Sequence, residues 1–99
     1  MDKIEKKVLD WHKETFPNAT DFAVWNKCQE EIRELFYAGS YGNEYLSEVA
    51  DVIITNMALI NKMSAGSVSI CDVIEWKLDI NKSRKWGKED LNGDRPRIK

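Results

Sequence analysis

Two pairs of acidic residues lie at helical spacing in the middle of the 99-residue chain. Glu31 and Glu34 are three positions apart, and so are Glu48 and Asp51. On an α-helix this spacing places each pair on one face, so two antiparallel helices could bring all of these carboxylates together. Such a cluster repels itself unless cations neutralise it, and Mg²⁺ prefers a few carboxylates together with water and substrate phosphates. The pattern predicts a divalent-cation site, with magnesium as the first candidate.

Each acidic pair alone also has an ordinary interpretation. Glu30, Glu31 and Glu34 can be solvated helix residues that support Lys27 at helical spacing. The second pair occupies the one strip of its helix that apolar residues leave free, which favours a shared site. A di-iron carboxylate bundle needs a Glu-x-x-His motif on each of two helices. The chain has one histidine, His12, so its ligand count argues against iron.

Basic residues continue the apolar face of the last predicted helix. The seam that begins at Ile70 leads, by steps of three and four, to Lys77, Asn81 and Arg84. Charges at core-facing positions are costly to bury without a partner, so an anion should meet them. These side chains could pair with the acids or reach water, but a phosphate chain held between metal ions and Lys77 and Arg84 explains more of the pattern.

Aromatic residues precede the acids, where a ring could stack on a nucleobase. Trp11, His12, Phe16 and Trp25 all fall in this part of the chain. Tryptophan and phenylalanine at helical spacing are more often core residues, and no catalytic role is assigned to His12. Because of their position before the acids, Trp11 and Trp25 are still candidates for contact with a base, and a packing role stays open for each.

Hydrophobic periodicity predicts an all-α protein whose simplest architecture is a four-helix bundle. No stretch alternates with period two long enough to indicate a strand. Apolar residues cover most of the third helix, which should therefore be central. The predicted helices run from about Asp2 to Glu14, from a Thr20 cap to about Tyr37, from about Glu44 to Met63, and from a Ser69 capping signature to about Trp86.

Composition bounds the class of protein. Hydrophobic residues make up 42% and charged residues 32%, which matches a folded helical protein. The net charge of -2 gives no general attraction to nucleic acid or to an anionic membrane. No stretch resembles a signal peptide or a membrane span. Cys28 and Cys71 fall in apolar helical patterns and are predicted to be reduced core residues, so we expect a cytoplasmic protein.

The length indicates a single domain over residues 1–99, with a core of about residues 2–87 and a C-terminal tail of residues 88–99. A domain this small buries a modest fraction of its surface, so a second copy is a natural supplement. We therefore expect self-association.

Three sequence motifs together resemble those of a known family. "EEIRE" followed by "EVAD" is similar to the E-x-x-E and E-x-x-D signature of the MazG-like nucleoside triphosphate pyrophosphohydrolases, "KLDINKSRKW" resembles the last core helix of that family, and "WHKETFPNAT" resembles the leader of its small members. The resemblance implies an all-α bundle that works as a homodimer or homotetramer, uses Mg²⁺ with Mn²⁺ as a substitute, and releases a nucleoside monophosphate and pyrophosphate. The implied metal ligands are Glu31, Glu34, Glu48 and Asp51.

The resemblance also assigns roles to other residues. Glu30 would be the additional carboxylate that holds a second metal ion or orients the attacking water, and the sequence leaves both roles open. Lys77 and Arg84 would act on the phosphates. Asn81 and Trp86 match the family pattern as substrate-binding residues. The tail "NGDRPRIK" lacks the histidine expected near the end of such chains.

These observations predict an enzyme that hydrolyses (deoxy)nucleoside triphosphates, in nucleotide-pool control or house-cleaning, in a bacterial cytoplasm or in a host cytoplasm if phage-encoded. The sequence leaves open whether water attacks the α or the β phosphorus. The alternative is a noncatalytic helical interaction module in which acids and bases form ion pairs between helices. A nucleic-acid binder is disfavoured because the basic residues lie on a predicted inward seam.

Overall fold

Four α-helices dominate the structure, a computed structural model that describes residues 3–38 and 43–98. No strand occurs within those ranges, which confirms the all-α prediction. Asp2, the predicted start of the first helix, and residues 39–42 of the predicted loop lie outside the described residues. The helices are α1 (Lys3–Thr15), α2 (Asp21–Tyr37), α3 (Asn43–Met63) and α4 (Ile70–Ser83).

Side-chain caps define the starts of α2 and α4. The Thr20 hydroxyl accepts a hydrogen bond from the Ala23 N–H at 3.1 Å, which satisfies a donor that the first turn of α2 leaves free. At α4, Ser69 and Asp72 form a reciprocal capping box, with both bonds at 3.1 Å. Both predicted helix starts are therefore confirmed, because capping depends only on residues within one turn.

The central helix is α3, as its apolar circumference predicted. It packs along α2, less extensively against α1, and only over a small area against α4. Val24, Cys28 and Ala58 are buried between α2 and α3, where the Cys28 thiol donates to the Thr55 carbonyl at 3.2 Å. The predicted burial of Cys28 is confirmed. The prediction for Cys71 is wrong, because Cys71 lies on an exposed face of α4.

A buried carboxylate ties the start of α4 to α1. Glu5 is 1% exposed, and its Oε2 accepts a hydrogen bond from the Ile70 N–H at 2.7 Å. Beyond this point the helix stands largely free of the rest of the chain, and Ile74 and Lys77 are exposed. The predicted inward seam of α4 is therefore not buried within one chain, because α4 touches α3 over too small an area to cover it.

The C-terminal segment folds back on itself after α4. The helix ends at Ser83, earlier than the predicted end near Trp86, and the Trp86 indole donates to the Asn81 carbonyl at 3.0 Å. The Gly87 N–H donates to the Pro96 carbonyl at 2.6 Å, which closes residues 88–95 into a loop. Gly87 is buried at this crossing. The predicted tail of residues 88–99 is thus hydrogen-bonded to the end of the helical region through residue 98.

A single chain leaves much of its apolar surface exposed. The radius of gyration is 16.1 Å, whereas a compact chain of this length has a value of about 13 Å. Exposed large side chains occur on every helix, for example Ile4, Phe36, Leu46 and Trp76. Within the described ranges, none of the helices has the length and apolar character needed to cross a bilayer.

Candidate metal centre

Three acidic side chains meet where α2 faces α3. Glu31 and Glu34 lie one turn apart on α2, and Glu48 lies on the early part of α3. Each offers a carboxylate oxygen, and these oxygens all lie within 4.8 Å of one another. Glu31 is buried, Glu48 is half-buried and Glu34 is exposed, so the cluster runs from the core to the surface. The structure therefore brings together three of the acids that the sequence singled out.

Among the residues that the structure describes, the cluster has few hydrogen-bond donors for its charge. The buried Oε2 atoms of Glu31 and Glu48 have no hydrogen-bond partner within residues 3–38 and 43–98. Burial raises the pKa of Glu31, the neighbouring Glu34 raises it further, and the Lys27 ammonium group opposes both effects. Orphaned carboxylate oxygens at the open end of an acidic cluster are suitable ligands for a hard divalent cation. The residues present therefore fit a metal site of the predicted kind.

Asp51 lies beside the three-acid cluster. It follows Glu48 by one turn on α3, and its side chain borders the same cavity as Glu31. Its carboxylate is not among the oxygens that lie within 4.8 Å of one another. The Asp51 carbonyl accepts a hydrogen bond from the Thr55 hydroxyl at 3.0 Å, a contact within α3 that does not involve the Asp51 carboxylate.

An apolar cavity of about 100 Å³ adjoins the acids and is called the aromatic cavity because Trp11, His12 and Phe16 line it. The Trp11 and Phe16 rings meet edge to face with centroids 5.9 Å apart, and the His12 ring lies 5.2 Å from that of Phe16. Flat apolar walls that lead to carboxylates can hold a molecule with a planar ring at one end and a metal-binding group at the other. The residues that border the cavity include Trp11, His12, Phe16, Lys27, Glu31 and Asp51.

His12 borders the cavity in its neutral form at neutral pH. Burial lowers the pKa of His12, and the nearby Lys62 charge lowers it further. A neutral imidazole offers one donor and one acceptor, so it can bind a polar edge of a ligand without adding charge. The sequence assigned this residue no catalytic role, and the structure places it in the wall of the cavity.

The other predicted residues of α2 lie at the edge of the site or away from it. The Glu30 carboxylate is half-exposed, and its Oε2 is 3.4 Å from the Lys27 ammonium nitrogen. Trp25 packs against Phe22, with ring centroids 6.0 Å apart, and does not border the aromatic cavity. The structure therefore separates the two tryptophan candidates, because Trp11 borders the cavity and Trp25 does not.

The predicted residues of the last helix lie outside the aromatic cavity. Lys77 is exposed, whereas Asn81 and Arg84 are half-buried. The Arg84 guanidinium donates to the Asn81 side-chain oxygen at 3.2 Å. Trp86 uses its indole N–H on the backbone of the same helix end. Within one chain these residues form a group of their own, separate from the acids.

Lys27 also lies at this site, a position that the sequence did not indicate. Its ammonium nitrogen lies 3.3 Å from Glu31 Oε1, and its side chain borders the aromatic cavity. The spacing of four residues to Glu31 was visible in the sequence, but this spacing is common on solvated helix faces. Only the burial of Glu31 distinguishes this pair from an ordinary surface pair.

Comparison with known proteins shows which solved structure this chain resembles. No protein-family model matches the sequence, and no curated protein matches it. Among solved structures, the chain has the fold of a MazG-like pyrophosphohydrolase, which confirms the predicted resemblance at the level of structure. That neighbour is the cyanophage S-2L MazG-like pyrophosphohydrolase bound to dGDP and three catalytic Mn²⁺ ions per active site. The TM-score is 0.72 at 27% sequence identity, over 98% of this chain and 91% of that chain.

Proposed function

We propose that this protein hydrolyses nucleoside or deoxynucleoside triphosphates to a nucleoside monophosphate and pyrophosphate with the help of divalent cations. The observation that carries the proposal is the cluster of Glu31, Glu34 and Glu48 beside the aromatic cavity, with two buried oxygens that have no hydrogen-bond partner in the described part of the chain. The similarity to a pyrophosphohydrolase that binds a nucleotide and Mn²⁺ supports the same class of reaction. Control of the nucleotide pool is the cellular role that this activity would serve.

The proposed metal ligands are Glu31, Glu34, Glu48 and Asp51. Mg²⁺ is the proposed physiological ion, and Mn²⁺ is a substitute. The first three carboxylates lie close together, and Asp51, on the adjoining turn of α3, is proposed to complete the set. Bound ions of this type neutralise phosphate charge and make a coordinated water a competent nucleophile. Glu30, at the edge of the cluster, is suited either to orient that water or to hold a further ion.

The aromatic cavity is the proposed site for the base. Trp11 and Phe16 provide the apolar walls, and the neutral His12 can bind a polar edge of the ring. Trp25 has no such position and is proposed to support packing against Phe22. The cavity and the acids are adjacent, so a nucleotide bound in this way would direct its phosphates toward the carboxylates.

Four residues at the end of the helical region are proposed to bind substrate in an assembly of chains: Lys77, Asn81, Arg84 and Trp86. Within one chain they do not border the cavity, and much of the apolar surface of α4 is exposed. A homodimer or homotetramer would cover that surface and could bring the basic residues of one chain to the acids of another. Guanidinium and ammonium groups at that position would stabilise charge on the phosphate oxygens.

The test is a panel of ribo- and deoxyribonucleoside triphosphates assayed for pyrophosphate release with Mg²⁺ and with Mn²⁺. We expect release that requires a divalent cation and depends on the base. Glu48→Gln should abolish the release, and Glu44→Gln, an exposed acid one turn earlier on α3, is the matched control that should retain it. No release across canonical and modified bases would favour the noncatalytic interaction module.

A further inference from the structure

The Lys27 ammonium group forms an ion pair with Glu31 of the acidic cluster. Within residues 3–38 and 43–98, no other basic side chain lies within 4.0 Å of Glu31, Glu34 or Glu48. Its nitrogen is 3.3 Å from Glu31 Oε1 and 3.4 Å from Glu30 Oε2. In the described residues, one positive charge is thus available to neutralise three clustered carboxylates and the adjacent Glu30.

The two side chains of this pair differ in exposure, so a metal ion could replace the lysine beside Glu31. The Glu31 side chain is 9% exposed and fixed between α2 and α3, whereas the Lys27 side chain is 51% exposed. The lysine can therefore leave its carboxylate at low cost, because its ammonium group already reaches water. Glu31 cannot leave the cluster, so it must have a cation close by whenever it is ionised.

The position of Lys27 relative to the cavities also bears on this exchange. Its side chain borders the aromatic cavity and also a neighbouring cavity formed by Phe16, Ala19 and Val24. An ammonium group released from Glu31 can therefore stay near the junction of the cavity and the acids. In a bound nucleotide with its ring in the cavity, the phosphates would pass that junction.

We propose that Lys27 is an internal counter-cation of the acidic cluster, which competes with the divalent cation for Glu31 and, once displaced, binds the phosphates of the substrate. This inference rests on the proposed metal cluster. A lysine that only stabilised the helix would not weaken the binding of metal ions, and its removal would not improve it. A competing lysine instead weakens metal binding and strengthens phosphate binding, so its removal should change the two affinities in opposite directions.

Calorimetric titration with Mn²⁺ alone tests the first half. Lys27→Gln should bind Mn²⁺ about threefold to tenfold more tightly than the parent, because a competing charge is removed. Lys27→Arg retains the charge and should bind Mn²⁺ with about the parental affinity. The matched control is Lys6→Gln, which breaks a pair of the same kind with Asp10 on an exposed face of α1 and should leave Mn²⁺ affinity unchanged.

Titration with inorganic tripolyphosphate at saturating Mn²⁺ tests the second half. Lys27→Gln should bind this probe about threefold or more weakly, since a phosphate-binding cation is lost. Unchanged or weaker Mn²⁺ binding by Lys27→Gln would overturn the proposal, as would an equal gain in Lys6→Gln or unweakened tripolyphosphate binding. A parent that binds no Mn²⁺ would overturn both this inference and the proposed function. The expected opposite changes in proteins that hydrolyse no nucleotide would uphold the inference and defeat the hydrolase proposal alone.

Discussion

Glu48 has a buried oxygen that no described residue hydrogen-bonds, and it lies next to two acidic side chains from α2. Such an arrangement stores repulsion in the metal-free protein, so Glu48→Gln should raise the free energy of unfolding by roughly 0.5–1 kcal/mol. Mn²⁺ should raise the melting temperature of the parent and should raise that of the variant much less, because a ligand that binds only the folded state stabilises it by mass action. Thermal melts with and without Mn²⁺ measure both effects. Equal metal-induced shifts in parent and variant would show an ordinary surface acid.

His12 should make the stability of the protein depend on pH on the acidic side of neutrality. Burial and Lys62 lower the pKa of His12 in the folded state below its ordinary value of 6.5. As pH falls through 6.5, the unfolded chain takes up a proton that the folded chain resists, so stability declines until the folded pKa is also passed. Chemical unfolding of the parent and of His12→Asn between pH 5 and 7.5 should show a difference that changes in this window. Parallel pH profiles would contradict the assignment.

At the scale of elements, the contact between Glu5 and the start of α4 holds two distant parts of the sequence together. Glu5→Ala leaves the buried Ile70 N–H without its acceptor and should destabilise the protein by about 1–3 kcal/mol. Glu5→Gln retains an acceptor oxygen and should lose less. Hydrogen exchange should show faster exchange of the α4 amides in Glu5→Ala, ahead of those in α2. Loss of protection that is uniform over all helices would indicate a general effect on folding.

The crossing of the C-terminal segment depends on the absence of a side chain at Gly87. A Cβ at this position would lie 2.7 Å from the Pro96 ring, so Gly87→Ala should disrupt the fold-back. The Ile98 N–H, which donates to the Lys85 carbonyl at 2.8 Å, should then exchange faster. Lys88→Ala, at an exposed neighbouring position, is the control. If Ile98 keeps its protection in Gly87→Ala, the segment is not held by this crossing.

For the whole molecule, the exposed apolar surface predicts self-association. An 11.5 kDa chain with a radius of gyration of 16.1 Å and large apolar side chains exposed on every helix is expected to gain stability from a second copy that covers them. Light scattering at micromolar concentration should give a mass that is a multiple of 11.5 kDa, and the melting temperature should rise with protein concentration. A mass near 11.5 kDa with cooperative unfolding would overturn this prediction.

Features that depend on neighbours within one or two helical turns could be predicted from the sequence. The caps at Thr20 and Ser69, the central position of α3 and the shared faces of the acidic pairs all follow from helical geometry. The resemblance of the motifs to a MazG-like protein also anticipated the fold. Local spacing carries this information because backbone hydrogen bonds and side-chain direction repeat with the helix.

Features that depend on the packing of distant segments were decided by the tertiary structure. Periodicity defines a face of α4 but not what covers it, so Lys77 is exposed in the single chain despite its place on the apolar seam. The same limit applies to Lys27, whose spacing to Glu31 is ordinary and whose partner is buried only because α3 packs against α2. Burial changes the energy of a charge, and burial is set by contacts between segments that the local pattern does not specify.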